Sequence, residues 1–166
     1  MDAPLNFFEI LRALCRHEVE FILVGGVAAI LEGAPVSTLD LDVVILKSEE
    51  NLARLLPALL ELDARYLDPA GRHIAPDAAK LASFKLHRLV TASGPLDVME
   101  RIGNGLSYAD LMEDTRIFEA EGLRVRVLGL ETIIRSKEQA NRDKDRATLH
   151  LLRRTLLMKQ APSAEE

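Results

Sequence analysis

Two rhythms of apolar residues alternate along the chain. Phe7, Phe8, Leu11, Leu14 and Cys15 recur at helical spacing, which predicts an amphipathic helix over about residues 5–17 with Arg12, Arg16 and Glu18 toward water. The rhythm then changes to Phe21-Ile22-Leu23-Val24, a continuous apolar run closed by Gly25-Gly26, the pattern of a strand buried on both faces that stops at a tight turn. Val27 to Glu32 reads as a short helix ended by Gly33-Ala34-Pro35. Leu39 to Leu46 reads as a second strand, alternating through Leu39-Asp40-Leu41-Asp42 and uniformly apolar beyond, with Leu39, Leu41 and Val43 packing away from the acids. A helix to about residue 62 follows, with Ser48 as N-cap, Glu49 and Glu50 in the first turn, and Leu52, Leu55, Leu56, Leu59 and Leu60 as its buried stripe.

Asp63 to Ala82 carries Pro69, Gly71 and Pro76 without a sustained period, which predicts an irregular connection with one helical turn near Ala78. Phe84 to Val90 and Leu96 to Met99 look extended, joined as a hairpin through Ser93-Gly94-Pro95. After Gly103-Asn104-Gly105, a helical segment at Tyr108 to Met112 leads to Leu123 to Leu128, where Val125 and Val127 alternate with Arg124 and Arg126 as in a half-buried strand. Helices over about Leu130 to Ala140 and Lys144 to Met158 complete the pattern. With no repeat or linker, the expectation is a single α/β (α+β) domain over 1–160, a central mixed β-sheet with flanking helices, and a flexible tail at 161–166.

Composition narrows the classes. A chain of 166 residues with 48% hydrophobic content can build one core and bury roughly two thirds of its unfolded surface. Its apolar runs fall far short of the roughly 20 residues a membrane helix needs. Met1-Asp2-Ala3-Pro4 lacks the basic start and apolar middle of a secretory signal, so a cytoplasmic protein without a membrane partner is expected. Cys15 is the one cysteine, and its place on an apolar helix face predicts a buried, inert thiol. The net charge of −5 argues against broad, sequence-independent binding to nucleic acid. It is compatible with a nucleotide ligand, because metal ions held by acidic residues supply the positive charge that phosphates require. The four histidines, His17, His73, His87 and His150, show no metal-ligand spacing and read as surface or structural residues.

Candidate chemistry centres on Asp40 and Asp42. Residues two apart in a strand share a face, so the two carboxylates would project together, repel, and raise each other's pKa unless a divalent cation takes oxygens from both. Mg²⁺ suits such a site, since it is held by one or two carboxylates together with substrate phosphates. An Asp-x-Asp pair alone is more often a solvated strand end. What gives this pair a chemical reading is Gly25-Gly26 at the end of the preceding strand, thirteen intervening residues earlier, where backbone N–H groups can approach a phosphate closely.

Leu23-Val24-Gly25-Gly26, Asp40-Leu41-Asp42 and Leu96-Asp97-Val98 together resemble the signature of the nucleotidyltransferase superfamily with the DNA polymerase β-like fold: an apolar strand, Gly-Gly or Gly-Ser, a short helix, Asp-x-Asp on the next strand and a third Asp on a later one. The resemblance implies that Asp40 and Asp42 hold two Mg²⁺ ions (or Mn²⁺), and that Asp97 binds the catalytic ion and helps activate an attacking hydroxyl. It also implies a nucleoside triphosphate such as ATP as donor. Gly26 stands where many relatives carry Ser, which leaves the phosphates to backbone donors.

The C-terminal text, Val127-Leu128-Gly129-Leu130-Glu131, Lys137 and Arg142-Asp143-Lys144-Asp145, is similar to the AbiEii-type, toxin–antitoxin-associated branch of that superfamily. Helical spacing puts Lys137 and Asp145 on inward faces, where charges are rare unless paired or assigned to a ligand. Two accounts stand: a structural ion pair, or a nucleotide-binding role in which Lys137 reaches the β or γ phosphate and Asp145 orients it. Arg124, Arg126, Arg135 and Arg142 form a modest basic region that is either a solvated face or a phosphate contact. Two functions remain in view. One is a nucleotidyltransferase acting on RNA or tRNA, a protein or a small molecule, with a toxin or antitoxin protein as partner; the alternative is a non-catalytic nucleotide-binding or regulatory module that keeps the fold.

Overall fold

In a computed structural model, which describes residues 5–161, the first helix α1 (Phe7–Arg16) buries Ile10, Leu11, Ala13 and Leu14. Leu5 to Ala161 is thus the described chain, and the tail expected at 161–166 lies, apart from Ala161, outside it. Glu18, at φ 56°, turns the chain into β1 (Phe21–Val24), all four residues of which are buried. Helix α2 (Gly25–Leu31) starts without a linker, two residues earlier than the apolar pattern suggests. Strand β2 (Leu41–Ile45) returns antiparallel to β1, with Leu23 opposite Val43 and Val24 opposite Asp42.

Helix α3 (Glu49–Glu61) begins where predicted, the Ser48 hydroxyl accepting from the Asn51 N–H at 3.1 Å. Its buried stripe includes Leu55, Ala58 and Leu59, each fully buried Leu worth about 1.5–3 kcal/mol; Leu60, expected in the stripe, is instead exposed. Asn51 takes the stripe's first position. It accepts from the Glu20 N–H at 2.7 Å and donates through Nδ2 to the carbonyls of Glu20 at 2.9 Å and Leu46 at 2.7 Å, tying α3 to the outer ends of β1 and β2.

Beyond α3 come β3 (Arg65–Tyr66), α4 (Ala78–Ser83), β4 (Leu86–Thr91), β5 (Gly94–Met99), β6 (Arg101–Ile102), β7 (Leu106–Ser107), α5 (Tyr108–Leu111), a 3₁₀ turn at Met112–Asp114, β8 (Thr115–Ala120), β9 (Leu123–Leu128), α6 (Leu130–Ala140) and α7 (Asp143–Gln160). Seven strands make one mixed sheet in the order β3-β4-β5-β2-β1-β9-β8, while β6 and β7 form a separate hairpin. The pairs β1–β9 and β2–β5 are parallel and the others antiparallel. No helix among the described residues is long and apolar enough to cross a membrane.

Three boundaries differ from the expectation for identifiable reasons. The second strand begins at Leu41, because Thr38 donates its hydroxyl to the Asp40 carbonyl at 3.1 Å and bends the chain there; Leu39, expected to pack inward, is 85% exposed. The hairpin turn is Ala92-Ser93, locked by the Thr91 hydroxyl, which donates to the Gly94 carbonyl at 2.7 Å and accepts from the Ser93 N–H at 3.0 Å. Gly94 and Pro95 therefore belong to β5, where Pro is tolerated because pairing with β2 starts only at Leu96. Strand β8 carries no sequence signal: it is a sheet edge with one neighbour, and its Ile117 is exposed.

Candidate active site

Strand register brings the acids together. Asp42 and Asp97 are opposite one another across the parallel β2–β5 pair, and therefore on one face of the sheet. Asp40 is added by the bend ahead of β2, its carboxylate Oδ1 accepting from the Thr38 hydroxyl at 3.2 Å. One oxygen from each of the three lies within 4.8 Å of the others.

Such crowding disfavours charge. Burial, then the charges of Asp40 and Asp97, push the Asp42 carboxyl up to about 7, against the opposing pull of Lys144 and Lys137. Asp97 is also raised, by burial first and by Asp40 second, with Arg88 and Lys144 opposing. Among the described residues the buried Asp42 Oδ1 has no hydrogen-bond partner. An oxygen-only set of three acids with an orphaned acceptor fits a hard divalent cation such as Mg²⁺ or Mn²⁺, which would satisfy that oxygen and replace the proton.

The two glycines are required by this arrangement. Gly25 has φ +68°, and a Cβ there would overlap Asp42 Oδ2 and stand 3.0 Å from the Asp42 Cβ and Cγ. A Cβ on Gly26 would fall 2.6 Å from Thr38 Cβ and 2.8 Å from its Oγ1. The close approach at both is to side chains of the same chain. A serine at 26 has no room here, and the hydroxyl in that place belongs to Thr38, which faces Asp40.

The acids and glycines line a cavity of about 690 Å³. Five cations also line it: Arg88 on β4, Arg101 on β6, Lys137 on α6, and Arg142 and Lys144 at the start of α7. Asp145 is wholly buried behind them and accepts from Arg142 Nε at 2.6 Å, Arg142 Nη2 at 3.2 Å and Lys137 Nζ at 3.3 Å. Burial works against its charge, but the Arg142 hydrogen bond and the Lys137 ammonium outweigh that and hold its carboxyl below the usual range. Among the described residues, the side chains of Arg88 and Lys144 make no hydrogen bond or ion pair.

Solved structures share this architecture. A nucleotidyltransferase candidate from Thermotoga maritima aligns with a TM-score of 0.54 at 20% identity, over 86% of this chain and 87% of that one. The solution structure of the antibiotic-resistance factor ANT(2″)-Ia aligns with a TM-score of 0.56 at 17% identity, over 90% of this chain and 81% of that one. The crystal structure of ANT(2″)-Ia in complex with adenylyl-2″-tobramycin gives the same TM-score of 0.56 and 17% identity, over 90% and 86%. The fold is that of a nucleotidyltransferase. No protein-family model and no curated protein matches the sequence, so the likeness rests on three-dimensional arrangement.

Asp40, Asp42, Asp97, Gly25, Gly26 and Lys137 all line the one cavity, whereas Asp145 is the anchor beneath Lys137 and Arg142. The ion pair weighed from the sequence is thus present, and its lysine still faces the cavity. Of the four arginines read as a basic region, Arg142 alone lines the cavity, while Arg124 pairs with Glu119 at 2.8 Å and Arg126 donates to the Thr115 hydroxyl at 3.3 Å. Thr38, Arg88 and Arg101 carry no signal in the sequence, and Lys144 stands there only within the Arg142-Asp143-Lys144-Asp145 run, with no role of its own. Arg88 is legible only once β4 is paired with β5 and places it opposite Asp97. Cys15 is half-buried with its thiol pushed up by burial, as befits an inert group. His87 is structural, its Nδ1 2.7 Å from the Tyr66 hydroxyl.

Proposed function

We propose that this chain is a metal-dependent nucleotidyltransferase that moves a nucleoside monophosphate from a nucleoside triphosphate, such as ATP, to a hydroxyl acceptor. The observation that carries the reading is the convergence of three carboxylates on one point of a cavity whose other wall is cationic. Its volume of about 690 Å³ lies within the range of small-molecule sites. A purely structural cluster of acids gains nothing from a raised Asp42 and an unpartnered oxygen, whereas a metal site uses both.

Asp40, Asp42 and Asp97 would hold two Mg²⁺ ions, which supply charge neutralisation at the attacking and leaving oxygens. The chain's own residues do the rest. Lys137 and Arg142, fixed by Asp145, face the triphosphate and orient it for in-line displacement. Asp97, with a carboxyl already raised, takes the proton from the acceptor hydroxyl. The freed oxygen bonds to the α-phosphorus, the bond from that phosphorus to the bridging oxygen breaks, and pyrophosphate leaves with the electron pair.

The test is thermal melting with Mg²⁺ and each nucleoside triphosphate. Wild type should be stabilised by the combination, and Asp40→Ala and Asp42→Ala should not. Labelled-nucleotide transfer to cell extract, with Asp97→Asn as control, then reports turnover. A wild type indifferent to Mg²⁺ and every nucleotide would leave the proposal without support.

A further inference from the structure

Resting on the nucleotidyltransferase reading, we infer that the acceptor is a phosphate-bearing hydroxyl compound with a flat or apolar body, the chemistry of a nucleotide end, seated on β4 and β5 beside Asp97. The strand register builds this seat. Arg88 is opposite Asp97 and Leu86 opposite Met99, so two residues of β4 and two of β5 present one continuous face. All four line the cavity. Leu86 is 45% exposed, an apolar side chain held open to water on a strand whose next same-face residue, Arg88, has no side-chain partner among the described residues.

Charge decides the class. Lys137, Arg142 and Lys144 come from α6 and the start of α7, while Arg88 comes from β4, the strand next to Asp97 on the side away from Asp42. Arg101, held by its Nη1 donating to the Gly105 carbonyl at 2.8 Å, continues the strip on β6 with most of its donors free. A hydroxyl delivered to Asp97 therefore has its near neighbours within reach of a guanidinium, which binds phosphate in a two-pronged fashion. A polycationic acceptor would meet Arg88 and Arg101 at the same place and be repelled. Leu86 and Met99 offer the apolar floor that a nucleobase covers and that a bare sugar phosphate does not.

Two sources carry this chemistry, an RNA 3′ end and a free nucleoside monophosphate, and the experiment separates them. The full chain, with Mg²⁺ and a nucleoside triphosphate analogue that cannot be cleaved between the α and β phosphates, is titrated into a 5′-fluorescein RNA decamer with a free 3′ hydroxyl and read by anisotropy. Parallel arms add a nucleoside 5′-monophosphate or tobramycin and read thermal stabilisation. Binding of the decamer, the monophosphate or both is expected, with Arg88→Gln weakening it about tenfold, the loss of one charged hydrogen bond, and Arg88→Lys recovering part. Mg²⁺–nucleotide stabilisation should fall less in Arg88→Gln than acceptor binding does, because Arg88 acts on the metal site only through its charge beside Asp97. Equal binding of the phosphate ligands by wild type and Arg88→Gln overturns the inference, as does binding of tobramycin but neither phosphate ligand, or a loss of Mg²⁺–nucleotide binding in Arg88→Gln as large as the loss of acceptor binding. A wild type with no Mg²⁺–nucleotide stabilisation fails earlier, at the nucleotidyltransferase reading itself, and removes both.

Discussion

Asp42 and Asp97 are opposite each other across the parallel β2–β5 pair in the middle of the sheet, so strand register keeps the two residues side by side on one face. Burial first, then the charges of Asp40 and Asp97, raise Asp42 from 3.8 to about 7, and the shift appears in stability. For a carboxyl raised on folding, the native state binds the extra proton, so stability is withdrawn as pH climbs from the unfolded value to the folded one. The withdrawal begins near 3.8, is complete above about 7, and amounts to roughly 4 kcal/mol for Asp42. The metal-free protein should lose stability relative to Asp42→Asn across that window. Mg²⁺ should stabilise the wild type strongly at pH 7.5 and hardly at pH 5. Denaturant melts of both proteins at four pH values check this, and parallel curves for the two would contradict it.

Gly26 and Thr38 are complementary in shape. Gly26→Ser should destabilise by about 1–3 kcal/mol, the cost of overpacking, because its Cβ meets Thr38 at 2.6 Å. Adding Thr38→Gly, which removes the Cβ at 2.6 Å together with Oγ1, should relieve that overpacking in a double-mutant cycle, whereas Thr38→Ala, which keeps the Cβ, should relieve it only in part. Thr38→Val alone removes the hydrogen bonds to Asp40 while keeping the shape, and should weaken Mg²⁺ affinity measured by calorimetry more than it lowers Tm.

Asp145→Ala should cost about 3 kcal/mol, the low end for removing one partner of a buried ion pair, since Arg142 can turn to water. The same change frees Lys137 and Arg142 from their anchor. Nucleotide affinity in the surviving folded fraction should fall as well, and isothermal titration below the melting transition measures it.

Asn51→Asp tests a different kind of burial. The aspartate could still accept from the Glu20 N–H, but it cannot donate to the carbonyls of Glu20 and Leu46. A loss of about 2–4 kcal/mol is expected in urea melts, with Mg²⁺ binding intact in the folded protein. A neutral result would mean that water reaches those carbonyls.

The sequence disclosed the elements whose own side chains announce them. The four-residue run at Phe21–Val24 and the leucines of α3 carry their period in plain view, and Asp40, Asp42 and Asp97 stand out by type and order. Strands β3, β6 and β7 are two residues each, too short to hold any period, and β8 is an edge with little to bury. Asp40 shows the limit of periodicity: it joins Asp42 through a bend held by Thr38, not through strand alternation. Arg88 and Arg101 acquire meaning only from strand pairing and the packing of the β6–β7 hairpin, which no local pattern encodes.

Leu86 and Arg88 occupy a strand two places out from β2, and Arg101 sits on a short hairpin outside the main sheet, whereas Asp42 and Asp97 lie on adjoining interior strands. Exchanges at the outer residues would leave the clustered carboxylates untouched, so under the proposed reading the acceptor could change while the metal site stays the same. The inner pair has no such freedom: replacing Gly25 pushes a side chain into Asp42. Selection thus meets a scaffold whose acid cluster is fixed by its packing and whose outer rim is free to vary.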